Sequence, residues 1–246
     1  MYHFFVEPSQ IQGKNIVITG SDVNHIKNVL RMKVGDELSV SNGTDQKEYR
    51  CGIEEFQAES ILCRLRFIKE DGVELPSKVY LFQGLPKADK MELIIQKAVE
   101  LGVCEVIPVA AKRSVVKLDE KRMTGKLARW QEIAKAAAKQ SKRRIIPQIH
   151  PVMSMKEAAV YASQMDVRLI PYELAEGMDK TKELISSLRP GQSIAVFIGP
   201  EGGFEESEIQ LAAESGITPV TMGKRILRTE TAGFTILSWI MYQLED

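Results

Sequence analysis

From Val79 to the C-terminus, short apolar runs alternate with longer amphipathic segments, and this alternation constrains the fold more than any single motif does. "VYLFQGL", "EVIPVAA", "VRLIPYE", "SIAVFIGPEGG" and "TPVTMGKR" read as strands. "KADKMELIIQKAVELGV", ending near Gly102, "DEKRMTGKLARWQEIAKAAAKQSKR" and "TAGFTILSWIMYQLE" read as helices. Strand alternating with helix predicts an α/β fold with a parallel sheet covered on both faces. Ile194–Ile198 is apolar at every position, as expected of a central strand buried on both sides.

The first 72 residues have a different rhythm. "NIVITG", "DELSVSNG", "KEYRCGI" and "ILCRLRFI" predict short strands, and Asn42-Gly43 is a hairpin turn signal because both residues tolerate positive φ. One helix is expected between them, "SDVNHIKNVLR", with Ser21 as its cap and Val23, Ile26, Val29 and Leu30 on one face. Short strands with tight turns predict a small β-barrel. "KEDGVELPSK" (69–78) is the linker candidate, which gives two domains, 1–72 and 73–246.

With 246 residues, 44% of them hydrophobic, the chain has ample material for a core. No apolar run is long enough to cross a membrane, and the N-terminus lacks the pattern of a signal peptide. The cysteines, Cys51, Cys63 and Cys104, have neither paired number nor metal-ligand spacing. This argues against disulfides and metal and for a reducing cytoplasm.

The stretch "IGPEGGFEESEI" places a Gly-rich turn between a strand and a helix. It lacks the Lys-Ser/Thr of a P-loop, and it lacks the dinucleotide fingerprint G-x-G-x-x-G. Glu205 and Glu206 occupy the helix start, where a phosphate would otherwise be favoured. A ligand here is therefore expected to be neutral or cationic. "LIPYE" and "MGKRILRTETAG" also follow apolar strands. Open parallel sheets bind ligands beyond the C-terminal ends of their strands, so the three loops in series predict a pocket. Thr229 or Thr231 is expected to cap the last helix. Between Lys112 and Arg144, twelve basic residues stand against three acidic ones, although the whole chain carries 33 of each. Such asymmetry fits either a solvated helix face or a polyphosphate partner. Arg143-Arg144 is expected to be exposed where that helix stops before Pro147.

"IGPEGGFEESEI" followed by "MGKRILRTETA", with "KADKMELIIQKAVELGV", "AAKQSKRRIIPQI" and "HIKNVLRMKVGDEL", resembles the bacterial small-subunit ribosomal RNA uracil-N3 methyltransferases (RsmE-like) over nearly the whole chain. The pattern departs at His3 and Lys142, where Arg and Gly are common in that family. The resemblance implies a SPOUT-type parallel sheet with a deep trefoil knot, preceded by a PUA-like barrel that helps hold RNA. It implies S-adenosylmethionine as cofactor, held by Ile198, Gly199, Pro200, Glu201 and Gly202 and by Met222, Gly223, Ile226 and Leu227, with Pro171 and Tyr172 as a third wall. It also implies a homodimer, to which the apolar residues Phe234, Ile236, Leu237, Trp239, Ile240, Met241 and Leu244 of the last helix would contribute. The RNA partner is small-subunit ribosomal RNA, free or in the assembled subunit, with His25, Arg31, Lys112, Arg113, Arg143 and Arg144 as candidate contacts.

Uracil N3 is protonated at neutral pH, so its methylation requires stabilisation of the deprotonated base. Arg228 is the candidate for that role. Glu230 is the candidate to accept the proton or to orient Arg228. A non-catalytic RNA-binding assembly factor and a ribose 2′-O-methyltransferase of the same fold are the alternatives.

Overall fold

The computed structural model describes residues 1–70, 72–114, 120–175 and 177–245, with the side chains of 120–122 excepted. Lys117 and Asp119 of the basic stretch lie outside the described residues. The chain divides into two compact units, residues 1–74 with 138–146, and residues 75–137 with 147–246.

The first unit is a sheet of β1 (His3–Phe5), β2 (Ile11–Gln12), β3 (Asn15–Thr19), β4 (Glu37–Ser41), β5 (Glu48–Phe56) and β6 (Ser60–Lys69). Its order is β1-β4-β5-β6-β3-β2, antiparallel except where β1 joins β4. Phe4 and Ile11, from the two edge strands, share one core with Ile16, Ile18, Leu38, Val40, Ile53 and Ile61. That is the curled packing of a small barrel. The β4–β5 turn uses Asn42 differently from expectation. Gly43 alone of the pair takes positive φ (+75°), while Asn42 Oδ1 accepts the N–H groups of Thr44 and Asp45, both at 3.0 Å. The expected helix also departs. A short α1 (Ser21–Asn24), preceded by Gly20 rather than by a Ser21 cap, runs into a π-helical turn at His25–Val29. The extra residue in that turn rotates Val29 outward, to 62% exposure, while Val23 and Ile26 stay buried.

Residues 138–146 complete this unit, and they correct the expectation of an exposed Arg143-Arg144. These side chains are 4% and 3% exposed. Arg143 donates to Glu74 Oε2 through Nε at 3.0 Å and Nη2 at 2.6 Å. Arg144 donates to the Gln46 and Lys69 carbonyls at 2.7 and 3.0 Å and to Glu48 at 3.0 Å. Buried charges persist only when paired in this way, so these two arginines are structural and are withdrawn as RNA contacts. Lys139 is likewise engaged, with Asp22 at 3.1 Å and over the Phe4 ring at 4.5 Å.

The second unit contains β7 (Lys78–Gly84), α2 (Lys90–Glu100), β8 (Val103–Ala110), α3 (Glu120–Gln140, whose last turn enters the first unit), β9 (Gln148–Ile149), β10 (Met153–Ser154) and α4 (Met155–Ala162). It continues with β11 (Val167–Pro171), α5 (Met178–Ser186), β12 (Ser193–Ile198), α6 (Glu206–Glu214), β13 (Thr218–Val220) and α7 (Thr229–Leu244). The sheet is parallel, in the order β10-β8-β7-β12-β11-β13, with β9 beside β8. Ile194–Ile198 is buried throughout, between β7 and β11. On one face Phe82 stacks on Phe197, centroids 4.3 Å apart, under Ala158, Ile209 and Ala212 of α4 and α6. α2 and α7 pack against each other and on β8 and β12. Because β12 inserts between strands that precede it, the chain changes direction here, and the crevice beyond such strand ends is where this sheet class binds ligands.

Candidate active site

Three loops leave neighbouring strands at this edge. The Gly199–Gly203 loop follows β12, Tyr172 follows β11, and Thr221–Arg228 connects β13 to α7. Tyr172 N–H donates to the Val220 carbonyl at 2.9 Å, joining the second loop to the end of β13, where the third begins. Thr229 joins the third to the first. It does not cap α7, as expected from sequence; Arg228 holds the cap position, and the Thr229 hydroxyl donates to the Gly199 carbonyl at 2.6 Å. Gln83, fully buried at the end of β7, donates to that hydroxyl at 2.9 Å and to the Gly84 carbonyl at 2.9 Å.

At two of its glycines the loop is tightly packed. A Cβ on Gly199 would lie 3.1 Å from Gly203 Cα, and one on Gly202 would lie 3.1 Å from Arg113 Cβ. Gly223, at φ +99°, turns the chain at the end of β13. Among the described residues, the N–H groups of Met222 and of Lys224–Leu227 have no acceptor within the fold. Bare backbone donors beside a glycine cradle suit a neutral heterocycle, whose edge takes hydrogen bonds.

The carboxylates that flank "GPEGG" turn out to be engaged with the protein. Glu208, 3% exposed, accepts the N–H of Lys112 and of Glu205, each at 2.9 Å. Glu205 lies 3.4 Å from Lys112 Nζ. Glu201 accepts the Lys87 N–H at 3.1 Å and pairs with Lys90 at 3.2 Å. Lys90 also reaches Glu230, at 3.2 Å. Partial burial would lower the Lys90 pKa, but the hydrogen bonds it donates to Glu230 and Glu201 outweigh this and hold the ammonium above its usual value. Burial raises the Glu201 carboxyl, and backbone N–H groups with Lys90 more than reverse that. Lys90 thus staples the first loop to the start of α7. Glu230 is engaged with Lys90, and among the described residues it makes no hydrogen bond or ion pair with Arg228, which it was a candidate to orient.

The candidate cofactor residues Ile198–Gly202, Pro171, Tyr172, Met222, Gly223, Ile226 and Leu227 lie on these adjoining loops. Ile198 and Pro200 are buried, and the Ile226 side chain is 86% exposed. Arg228 is exposed at the N-terminus of α7. Arg113 belongs to this edge as well, donating to the Gly202 carbonyl at 3.0 Å. His25 and Arg31 stand in the first unit, exposed at either end of the π-helical turn, with Arg31 at φ +53°. Sequence reasoning missed Gln83, Gly84 and Lys90, whose contacts lie more than a hundred residues away along the chain. A groove of about 510 Å³ lined by Ser154, Lys156, Ser207 and Gln210 contains none of the loop residues, and its Glu208 is already capped.

Residues 73–241 match the family model described as an RNA methyltransferase domain, and residues 18–66 match an RNA methyltransferase PUA domain. Ribosomal RNA small subunit methyltransferase E of Bacillus subtilis (strain 168) is 38% identical, covering 100% of this chain and 98% of its own. Its counterpart in Mesomycoplasma hyopneumoniae is 36% identical over 97% and 98%. The crystal structure of the Neisseria gonorrhoeae enzyme of the same name, bound to S-adenosyl methionine, superposes with a TM-score of 0.82 at 30% identity, covering 96% of this chain and 95% of that one.

Proposed function

This chain belongs to the ribosomal RNA small subunit methyltransferase E family, and we propose that it methylates N3 of a specific uridine in 16S ribosomal RNA. The observation that carries the reading is the joining of three loops at the ends of β11, β12 and β13 around bare backbone, with Arg228 at their rim. The cofactor is S-adenosylmethionine, which supplies an electrophilic methyl group. Backbone of Ile198–Gly202 and of Met222, Gly223, Ile226 and Leu227 would hold it, with Pro171 and Tyr172 beside it.

Arg228 would stabilise the uracil anion. Its guanidinium extends from the N-terminus of α7, whose dipole also favours negative charge. Glu230 keeps Lys90, and through it the Glu201 loop, in place; as a carboxylate already committed to an ammonium it serves positioning better than proton abstraction. His25, Arg31, Lys112 and Arg113 are the remaining candidate RNA contacts. The same reading includes a deep trefoil knot in the SPOUT-type second unit, supported by the insertion of β12 between earlier strands. It also includes a cytoplasmic location and a homodimer, the dimer supported by the half-buried Phe234, Trp239 and Met241 on α7 beside an 85% exposed Tyr242.

The test is single-turnover methyl transfer by Arg228→Ala across a pH series. Loss of a transition-state donor costs roughly 10²–10³-fold in rate, and higher pH should restore part of it, because more uracil is then deprotonated unaided. A near-wild-type rate at neutral pH would remove Arg228 from this role.

A further inference from the structure

Cations without ion-pair partners stand at the mouth of the candidate active site. Lys224 and Arg225 are exposed on the loop between β13 and α7. Among the described residues, neither side chain has a hydrogen-bond or ion-pair partner. Arg228 is exposed three residues further on, next to Thr229, which is bonded to Gly199. Arg113 is tied to the Gly202 carbonyl, a neutral acceptor that leaves its charge uncancelled. Glu201 and Glu230 both pair with Lys90 and Glu205 pairs with Lys112, so the ion pairs these acids form are with other lysines. Glu173, exposed on the loop after β11, makes no ion pair with these cations among the described residues.

Between these cations the Ile226 side chain stands 86% exposed. So exposed a side chain faces solvent rather than the fold. Unpaired cations flanking an apolar side chain match an unpaired RNA strand, which offers phosphates and a base face together.

We propose that Lys224 and Arg225 are the phosphate contacts that seat the target RNA strand at this mouth, with the Ile226 side chain against a neighbouring base. The proposal rests on the RNA methyltransferase reading. Phosphate contacts fix the register of a strand without reading its sequence, so their task is to present the target nucleotide to Arg228 and the loops behind it.

The experiment measures binding of a 16S rRNA transcript, and of small ribosomal subunits, to the wild-type chain and to Lys224→Ala/Arg225→Ala across a salt series, with S-adenosylmethionine affinity measured in parallel. The double variant should bind RNA more weakly. Its slope of log affinity against log salt should fall by about 1.4, at about 0.7 per lost single-strand contact. Cofactor affinity should hold within about twofold, well short of the tenfold that one lost contact of 1.4 kcal/mol would give. Lys224→Arg/Arg225→Lys should keep most of the wild-type slope. An unchanged slope and affinity in the alanine variant would overturn the proposal, and so would a loss of cofactor affinity equal to the loss of RNA affinity. Because binding is read without turnover, a wild-type chain that binds RNA but transfers no methyl group would fail the activity reading alone.

Discussion

Gly84 ends β7 directly against the Gly199–Gly203 loop, and a single methyl group there tests whether loop position governs the site. A Cβ on Gly84 would lie 2.6 Å from Pro200 Cδ, 2.7 Å from Pro200 N and 3.1 Å from the Gly199 carbonyl carbon. Comfortable carbon contacts begin near 3.5 Å, so the loop must retreat by about 1 Å. Two of the obstructing atoms are backbone, and the Gly199 carbonyl is held by Thr229 at 2.6 Å, so no side-chain rotation relieves the clash. Overpacking of this kind costs roughly 1–3 kcal/mol. A misplacement of about 1 Å at a reacting centre costs on the order of 10²-fold in rate. Gly84→Ala should therefore melt several degrees lower, at about 2–4 °C per kcal/mol for a chain of this size, and should lose most S-adenosylmethionine affinity and methyl transfer. Gly125→Ala is the control, since Gly125 is exposed within α3 with nothing within 4 Å of a built Cβ. That change should stabilise by about 0.8–1 kcal/mol through helix propensity. Differential scanning and isothermal titration calorimetry read both. Wild-type cofactor affinity and melting temperature in Gly84→Ala would refute the reasoning.

Lys90→Met should weaken cofactor binding by freeing Glu201 and Glu230 to repel each other, and Lys90→Arg should restore part of it; titration calorimetry on both variants decides, and equal affinities would dismiss the staple. His3 is held near a pKa of about 4, chiefly by burial, against an ordinary 6.5, with lesser contributions from Lys139, Arg144 and Arg50 opposed by Glu48. Between those two pH values the unfolded chain takes up a proton that folded His3 refuses. Stability should fall by up to about 3 kcal/mol as pH drops through that window, and denaturant melts of His3→Gln should lose that component. Lys142 sits at φ +61° just past α3, where its N–H and that of Arg143 bond back to the Lys139 and Ala138 carbonyls. Glycine suits this helix-ending position, so Lys142→Gly should raise stability by about 1 kcal/mol in chemical denaturation.

The alternation beginning at Val79 disclosed the parallel sheet because each strand's apolar run and each helix's stripe are local properties. The same holds for Ile194–Ile198, whose burial on both faces follows from its uninterrupted apolar composition. The π-helical turn at His25–Val29 was hidden because its spacing differs from a regular helix by one residue. Arg143 and Arg144 look like solvent-facing charges at a helix end; their burial depends on Glu74 and Glu48, 69 and 96 residues away. The loops of the site were visible as strand-to-helix turns. Their locking together was not, since it rests on Gln83–Thr229 and Lys90–Glu230, pairs separated by 146 and 140 residues. Residue types foretold where chemistry gathers, while charge balance at the site came from tertiary pairing.

The central claim, that these loops direct a methyl group to uracil N3, is tested most directly by the identity of the product. Small ribosomal subunits from cells lacking this activity would be incubated with the protein and methyl-labelled S-adenosylmethionine. The 16S rRNA would then be digested to nucleosides and separated by mass. The account predicts label in 3-methyluridine at one site, appearing roughly 10²–10³-fold more slowly with Arg228→Ala at neutral pH. Label on a ribose 2′-hydroxyl, on another base atom, or on no nucleoside would contradict it.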